Sequence, residues 1–439
     1  MNTVFLAIVL IAFMVTAWRQ IAWLPATPDA VAPMQALANA MVSTAGDAVT
    51  LAIGLVGVMT LFLGLMKVAE AGGLLVIIAR TIRPLMVRAF PDVPADHPAM
   101  GAMILNLSAN ALGLGNAATP FGIRAMQELD RMNPHRGTAS DAMVLFLAIN
   151  TSSVTLLPTG VIALRAAAGS ADPAGILPTT LFATVLSTTV AIIAARVYRR
   201  FSPLPASPAI PDDAMPPEQD SEMSAPAGGT IPGDASAAGY PGWVSALTLG
   251  AIVGLIPLTV FYGKEIAPWI IPGLMVGLLG FGAARRVRVY EVFVDGAREG
   301  FQVAVRIIPY LVAVLVAVGM LRASGALDLL VSAVAPVTTL FGLPGEALPM
   351  ALLRPLSGSG AYGVLASIIN DPAVGPDSYA GYLVSTFQGS TETTFYVIAV
   401  YFGAVQIRRM RHALATALTA DIAGIAGAVI ACSILFAGR

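Results

Sequence analysis

The sequence predicts an all-α polytopic membrane protein with about nine transmembrane helices plus two re-entrant hairpins, arranged as two inverted repeats. Composition is the first reason. Of 439 residues, 57% are hydrophobic and only 11% charged, against about 25% charged in soluble domains, and several apolar runs reach the roughly 20 residues that span a bilayer. Element order is the second reason. Each half reads as a span, a surface helix, a broken hairpin, a broken span and a final span, and interrupted segments in corresponding positions of two halves mark transporter-like repeats. The third is the segment 202–239, which holds eight prolines, six acids and no Lys or Arg. Such a segment buries too little apolar surface to fold. It divides the chain into an N-terminal membrane half (1–201), a disordered cytoplasmic linker (202–239) and a C-terminal membrane half (240–439).

The first half opens with an apolar segment at about 3–18. No basic residue precedes it and no clear small-residue cleavage site follows, so it reads as a retained helix rather than a cleaved leader. A Pro- and Ala-rich loop (24–46) leads to a span at about 48–68. In 72–90, Arg80, Arg83 and Arg88 interrupt apolar residues, the pattern of a helix lying along a membrane surface. The stretch 99–126 is centred on Asn106, Ser108, Asn110, Gly113, Gly115 and Asn116. It makes a poor continuous helix and suits a re-entrant hairpin, which is tolerated where protein covers it or where it lines a cavity. Spans follow at about 142–164 and 177–197.

The second half begins with two spans, about 243–262 and 269–284, and an amphipathic connection at 289–302 leads to a span at about 303–321. A surface-type helix (325–341) precedes 345–369, whose centre Arg354-Pro355-Leu356-Ser357-Gly358-Ser359-Gly360 again suits a broken hairpin. A broken span at 379–405 and a last span at about 413–436, which holds Asp421, complete the chain.

Short matches support duplication. Ala71-Gly72-Gly73-Leu74 pairs with Ser324-Gly325-Ala326-Leu327, Leu107-Ser108-Ala109-Asn110 with Leu356-Ser357-Gly358-Ser359, and Thr151-Ser152-Ser153-Val154-Thr155 with Gly389-Ser390-Thr391-Glu392-Thr393. Counting crossings makes the two copies enter from opposite faces. With the amino terminus inside, 18 of the 24 Lys and Arg fall on or near the inner face, as the positive-inside rule requires. The carboxyl terminus is then outside.

The candidate site is read from two polar interruptions. Gln388, Ser390, Thr391, Glu392, Thr393 and Thr394 sit between apolar runs, and Asn150, Thr151, Ser152, Ser153 and Thr155 interrupt 142–162. An ionisable group at such depth costs about 2.5–3.5 kcal/mol on insertion scales and usually faces a bundle interior or a water-filled cavity. Ser and Thr can instead bond back to their own helix turns, but no local backbone bond needs the Glu392 carboxylate. Other chemistries find no support. Net charge is −1, which gives no sign of nucleic-acid binding. Cys432 is the single cysteine, and His97, His135 and His412 have no metal-ligand spacing. No cofactor is expected beyond a possible coupling ion, H+ or Na+, and no enzyme activity. Glu392 and Asp421 form at most a carboxylate pair without a nucleophile.

Residues 106–120, from Asn106-Leu107-Ser108-Ala109-Asn110 to Thr119-Pro120, resemble the hallmark stretch of spore maturation protein A. Arg354-Pro355-Leu356-Ser357-Gly358-Ser359-Gly360-Ala361 and 385–396 resemble spore maturation protein B. The resemblance covers nearly the whole chain outside the linker. It implies a natural fusion of two members of the nucleoside-recognition, or gate, family, hence two gate-type repeats in a multi-pass protein of a bacterial inner membrane. The expected function is a secondary transporter or channel-like permease for a small polar solute bound between the hairpins and the broken spans. Asn106, Ser108, Asn110, Asn116, Asn150, Thr151, Ser152, Ser153, Arg354, Ser357, Ser359, Gln388, Ser390, Thr391, Glu392 and Thr393 are the candidate binding residues. The alternative is a non-transporting membrane scaffold or regulatory protein whose polar groups hold helices together. The expected partners are the lipid bilayer and the solute, with a homo-oligomer left as an open alternative.

Overall fold

The computed structural model describes residues 2–25, 30–113, 118–153, 155–204 and 240–436. Asn116 and most of the expected linker (205–239) lie outside the described residues, as does the side chain of Ser359. Within them the protein is all-helical and contains no strand, only an isolated bridge between Thr138 and Arg409. In the first half the helices are α1 (Asn2–Ile21), α2 (Pro33–Ala71), α3 (Leu74–Ala89), α4 (Pro98–Ala111), α5 (Thr119–Arg131), α6 (Asp141–Thr151), α7 (Thr159–Ala167) and α8 (Leu177–Tyr198). In the second they are α9 (Gly242–Ala284), α10 (Val289–Ala323), α11 (Ala326–Thr338), α12 (Leu348–Leu353), α13 (Gly358–Ile369), α14 (Tyr379–Ser390), α15 (Thr394–Gly403) and α16 (Ala413–Phe436).

Local chemistry sets the corresponding ends. The two broken spans start at equivalent serine caps. Ser140 Oγ accepts from Met143 N–H at 3.3 Å before α6, and Ser378 Oγ accepts from Gly381 N–H at 3.0 Å before α14. Such caps contribute about 1 kcal/mol. The corners that start α3 and α11 use left-handed glycines, Gly73 (φ 84°) and Gly325 (φ 77°), a conformation that a Cβ disfavours. The counterpart of Gly325 is therefore Gly73, one residue from the register the sequence matches implied. A second match fails. Residues 107–110 lie inside α4, whereas Leu356 and Ser357 belong to the joint between α12 and α13 and Gly358 opens α13. Pro355 lacks the N–H that would continue α12, while α4 runs on to the left-handed Gly113.

Several span boundaries also differ from expectation. The helix expected at 48–68 begins at Pro33, and the one expected at 303–321 is the later part of α10, continuous from Val289. The amphipathic start of α10 stays helical because it packs on α2, with Phe293 and Gly296 against Gly64 and Glu299 3.0 Å from Lys67. Residues 242–284, where two spans are expected, are helical without an assigned break. A straight helix of this length would run about 65 Å, yet Tyr240 N–H donates to Arg80 O at 3.1 Å and Gly282 packs on Val68, near the α2–α3 corner. The segment therefore doubles back within its length. Among the described residues, two helices, Leu177–Phe201 and Ala413–Phe436, are individually long and apolar enough to cross a membrane, and Thr60–Ala71 with Leu74–Ala89 forms a further pair bent by 69°. The polar breaks leave pieces such as α6 too short to count alone.

Antiparallel pairs join the halves. Along α2 and α10, Thr44 meets Gly319, Ala48 meets Leu315, and Lys67 meets Gly296. Along α8 and α16, Ala183 meets Gly427, Ser187 meets Gly424, and Ala191 meets Ala420. Small residues at these seams let backbones approach where lipid gives no hydrophobic drive for helix association. Both main apolar clusters are shared. Ile104 and Phe146 pack with Val397, Tyr401 and Phe402, and Ile162 and Leu164 pack with Leu365 and Phe387.

Charged clamps close both ends of the broken spans. Fully buried Arg165, near the end of α7, donates to Asp377 Oδ1 at 3.0 Å and to Pro376 O at 2.6 Å, and its guanidinium lies 4.2 Å from the Tyr382 ring centroid. Arg411 donates to Asp141 Oδ1 at 2.6 Å and to Ala139 O at 3.1 Å. Each clamp ties one half's arginine to the aspartate at the other half's serine cap.

Candidate functional site

The two broken spans meet at their breaks. α6 stops at Thr151 and helix resumes at Thr159, while α14 stops at Ser390 and α15 starts at Thr394. Glu392 N–H donates to Thr151 O at 2.9 Å. A helix end leaves backbone groups without intrahelical partners, and here one break answers the other. The first break is longer and more strained: Ser153 has φ 45°, and its hydroxyl lies 2.6 Å from Thr155 Oγ. Thr184 of α8 donates to Ser152 O at 3.2 Å, and Ser152 Oγ lies 2.9 Å from Thr188 Oγ.

Arg354 organises the second break. It is 4% exposed. Its Nη1 donates to Thr393 Oγ at 2.9 Å, and its Nη2 donates to Gln388 O at 3.4 Å and to Thr391 O. Glu392 Oε2 lies 3.7 Å from Nη2, with the Glu392 side chain 41% exposed. The guanidinium thus satisfies the carbonyls at the end of α14, while the carboxylate keeps access to solvent. Pro355 O accepts from Phe395 N–H at 3.1 Å, which seats the α12–α13 joint on the start of α15.

A second polar cluster lies between the first hairpin and the broken spans. Asn150 Oδ1 accepts from Asn110 Nδ2 at 3.0 Å and from Tyr401 O–H at 3.3 Å, and Asn106 Nδ2 donates to Tyr401 Oη at 3.1 Å and to Ala118 O at 2.8 Å. α5 permits this approach because Gly122 has no side chain; a Cβ there would stand 2.1 Å from Tyr401 Oη.

The sixteen candidate residues therefore divide. Asn106, Asn110 and Asn150 converge on one cluster. Arg354, Gln388, Thr391, Glu392 and Thr393 converge on the other, with Thr151 joined through its carbonyl and Ser152 and Ser153 flanking it. Ser390, between Gln388 and Thr391, is fully buried, and its Oγ has no partner among the described residues. Ser108 turns back to Ile104 O at 2.7 Å, and Ser357 caps α13 through Gly360 N–H at 3.0 Å; both have structural roles here. Sequence reasoning missed Tyr401, an aromatic in an apolar run with no local signal. It also left aside Thr394, whose Oγ donates to Asp421 Oδ2 at 2.7 Å. No group of three or more His, Cys, Asp or Glu fit to hold a metal occurs among the described residues. The arrangement offers carbonyls, amides, hydroxyls and one accessible carboxylate, which is chemistry for binding a polar solute or a cation.

The family model for Gate, nucleoside recognition, matches residues 52–168 and 304–408. The chain is similar to spore maturation protein A of Bacillus subtilis, 48% identical over 169 residues that cover 38% of this chain and 86% of that protein. It is likewise similar to spore maturation protein B of the same organism, 44% identical over 176 residues that cover 39% of this chain and 98% of that protein. A shorter stretch of 84 residues is 40% identical to inner membrane protein YjiG of Escherichia coli and covers 55% of it. No solved structure matches.

Proposed function

The chain belongs to the nucleoside-recognition family, and from that premise we propose that it is a permease or secondary transporter for a small polar solute across a bacterial inner membrane. The observation that carries this reading is the meeting of two helix breaks from two antiparallel halves, through Glu392 N–H and Thr151 O. Transporter sites of this kind form where discontinuous helices from paired repeats face each other near the midplane. Asn110, Asn150, Gln388, Ser390 and Thr391 bind the solute in this reading, and Glu392 receives a coupling cation, a proton or a basic group of the solute.

The topology that fits has nine crossings, with α4–α5 and α12–α13 as re-entrant hairpins, an inside amino terminus and an outside carboxyl terminus. The doubled-back α9 and the antiparallel α2–α10 and α8–α16 pairs support it. The similarity to an inner membrane protein of Escherichia coli supports the inner membrane. The halves 1–201 and 240–439 then act as A-like and B-like repeats joined by a cytoplasmic linker. A reporter active only outside should work after Arg439 and fail within the linker.

The functional test is a thermal-shift screen of the purified chain against nucleosides, dicarboxylates and amino acids, since ligands that bind the native state raise its stability, followed by uptake into proteoliposomes. A stabilising ligand that is carried across supports the reading. Uptake absent for every stabilising ligand overturns it in favour of a membrane scaffold, which the internally bonded Asn106–Tyr401–Asn150–Asn110 cluster also accommodates.

A further inference from the structure

Asp421 stands in the middle of α16 and is 3% exposed. Its Oδ2 accepts from Thr394 Oγ at 2.7 Å, and its Oδ1 has no partner among the described residues. No Lys, Arg or His lies within ion-pair distance of it among those residues. The elements packed on α16 supply few charges. α8 presents Ser187 and, toward its far end, Tyr198 beside Thr419, with exposed Arg196 in its last turn; α6 presents Ala148, with Asp141 at its opposite end; α14 carries Tyr379 beside Ser433 and Tyr382 beside Phe436; α15 carries Tyr396 and Tyr401. On α16 itself, Cys432 lies near its end and His412 and Arg411 precede it. The charged group that acts on it is Arg354, which is committed to Thr391, Thr393 and Gln388.

We propose that Asp421 is a proton-binding site, and that its loading is transmitted through Thr394 to the α14–α15 break. Two forms of the carboxyl are available. The neutral acid removes a charge that a buried, half-satisfied carboxylate cannot hold without a partner. The ionised form is held by the Thr394 hydroxyl at the start of α15. The step is O–H dissociation at the carboxyl, with the proton exchanging with water and no other reactant. Thr393 and Thr394 are consecutive, one bonded to Arg354 and the next to Asp421. A change of charge at Asp421 therefore pulls on the same three-residue break that presents Glu392. That a proton here drives solute movement rests on the permease reading; the site does not.

The test is infrared difference spectroscopy of the full chain in nanodiscs, titrated with pH. The expected result is a protonated-carboxyl C=O band that shifts in D2O and on 13C-aspartate labelling. It should be absent in Asp421→Asn, kept in Glu392→Gln, and moved to a higher pH midpoint in Thr394→Val, where the ionised form loses its donor. A band that persists in Asp421→Asn, or a midpoint unmoved by Thr394→Val, overturns the site. A band bleached by sodium ions at fixed pH overturns it in favour of a sodium site. If Asp421→Asn fails to fold, the labelling and Thr394→Val arms decide. Failed uptake with the band intact would remove the permease reading and leave the proton site standing.

Discussion

Neutralising Glu392 and neutralising Arg354 should have very unequal effects on stability, although the two side chains form one ion pair. Glu392 is 41% exposed and its oxygen is 3.7 Å from Arg354, so the pair belongs with solvent-screened pairs that contribute about 0–1 kcal/mol. Glu392→Gln leaves Arg354 bonded to Thr391 O, Gln388 O and Thr393 Oγ, and no buried cation is stranded. The expected loss is at most about 1 kcal/mol. Arg354→Gln removes all three bonds and leaves two carbonyls at the end of α14 in a buried place. At about 1–3 kcal/mol for each unsatisfied group, the loss should reach about 3–5 kcal/mol. Denaturant unfolding of both variants in mixed micelles, with monodispersity by gel filtration, measures the difference. With a ligand from the thermal-shift screen, Glu392→Gln should also abolish ligand-dependent stabilisation. A Glu392→Gln protein as damaged as Arg354→Gln would refute the argument, because the pair would then be structural. A stable Glu392→Gln protein that binds and transports normally would remove Glu392 from the site.

Other perturbations test the frame around the site. Asp377→Asn strips fully buried Arg165 of its carboxylate. The stability loss should be about 2–3 kcal/mol, less than the 3–5 for a wholly buried pair because Asp377 is partly exposed, and a double-mutant cycle with Arg165→Met should be non-additive. Gly122→Ala should cost about 1–3 kcal/mol by overpacking, and Tyr401→Phe in the same background should recover part of it by clearing the hydroxyl. His412, buried just before α16, has its pKa pushed below the usual histidine value by burial first and by neighbouring Arg411 second. The unfolded chain therefore takes up the proton first on acidification. Stability should fall as pH drops below about 6.5, by at most about 1.4 kcal/mol per pH unit for this group, until the folded histidine is also protonated. His412→Asn should flatten that part of a pH–stability curve measured in detergent.

The two breaks were legible because a run such as Gln388 to Thr394 contradicts its apolar flanks within a few residues, and any buried polar run must find partners. The serine caps and the left-handed glycines are equally local. What lay beyond the sequence was who meets whom. Tyr401 reaches Asn106 and Asn150 from the other half of the chain, and its hydroxyl sits in a run that reads as ordinary lipid-facing helix. The burial of Arg165 was equally hidden, because its carbonyl partners at Pro376 and Gly381 carry no side-chain signal. The length of α10 was hidden for a related reason: the pattern at 289–302 is amphipathic, and only packing on α2 decides that it continues as one helix.

The interleaving of the halves has a consequence for synthesis. α2 finds its long partner in α10 and α8 finds its own in α16, so the ribosome completes one half before most of what covers it exists. Contacts separated this far in sequence close late and slowly. Until Glu392 emerges, the carbonyl of Thr151 must wait in the membrane without the amide that later answers it. Half-made chains of this kind are the species that misassemble. Keeping both halves on one polypeptide shortens that wait, since the second arrives at the first by tether rather than by search, in a one-to-one ratio whatever the expression level.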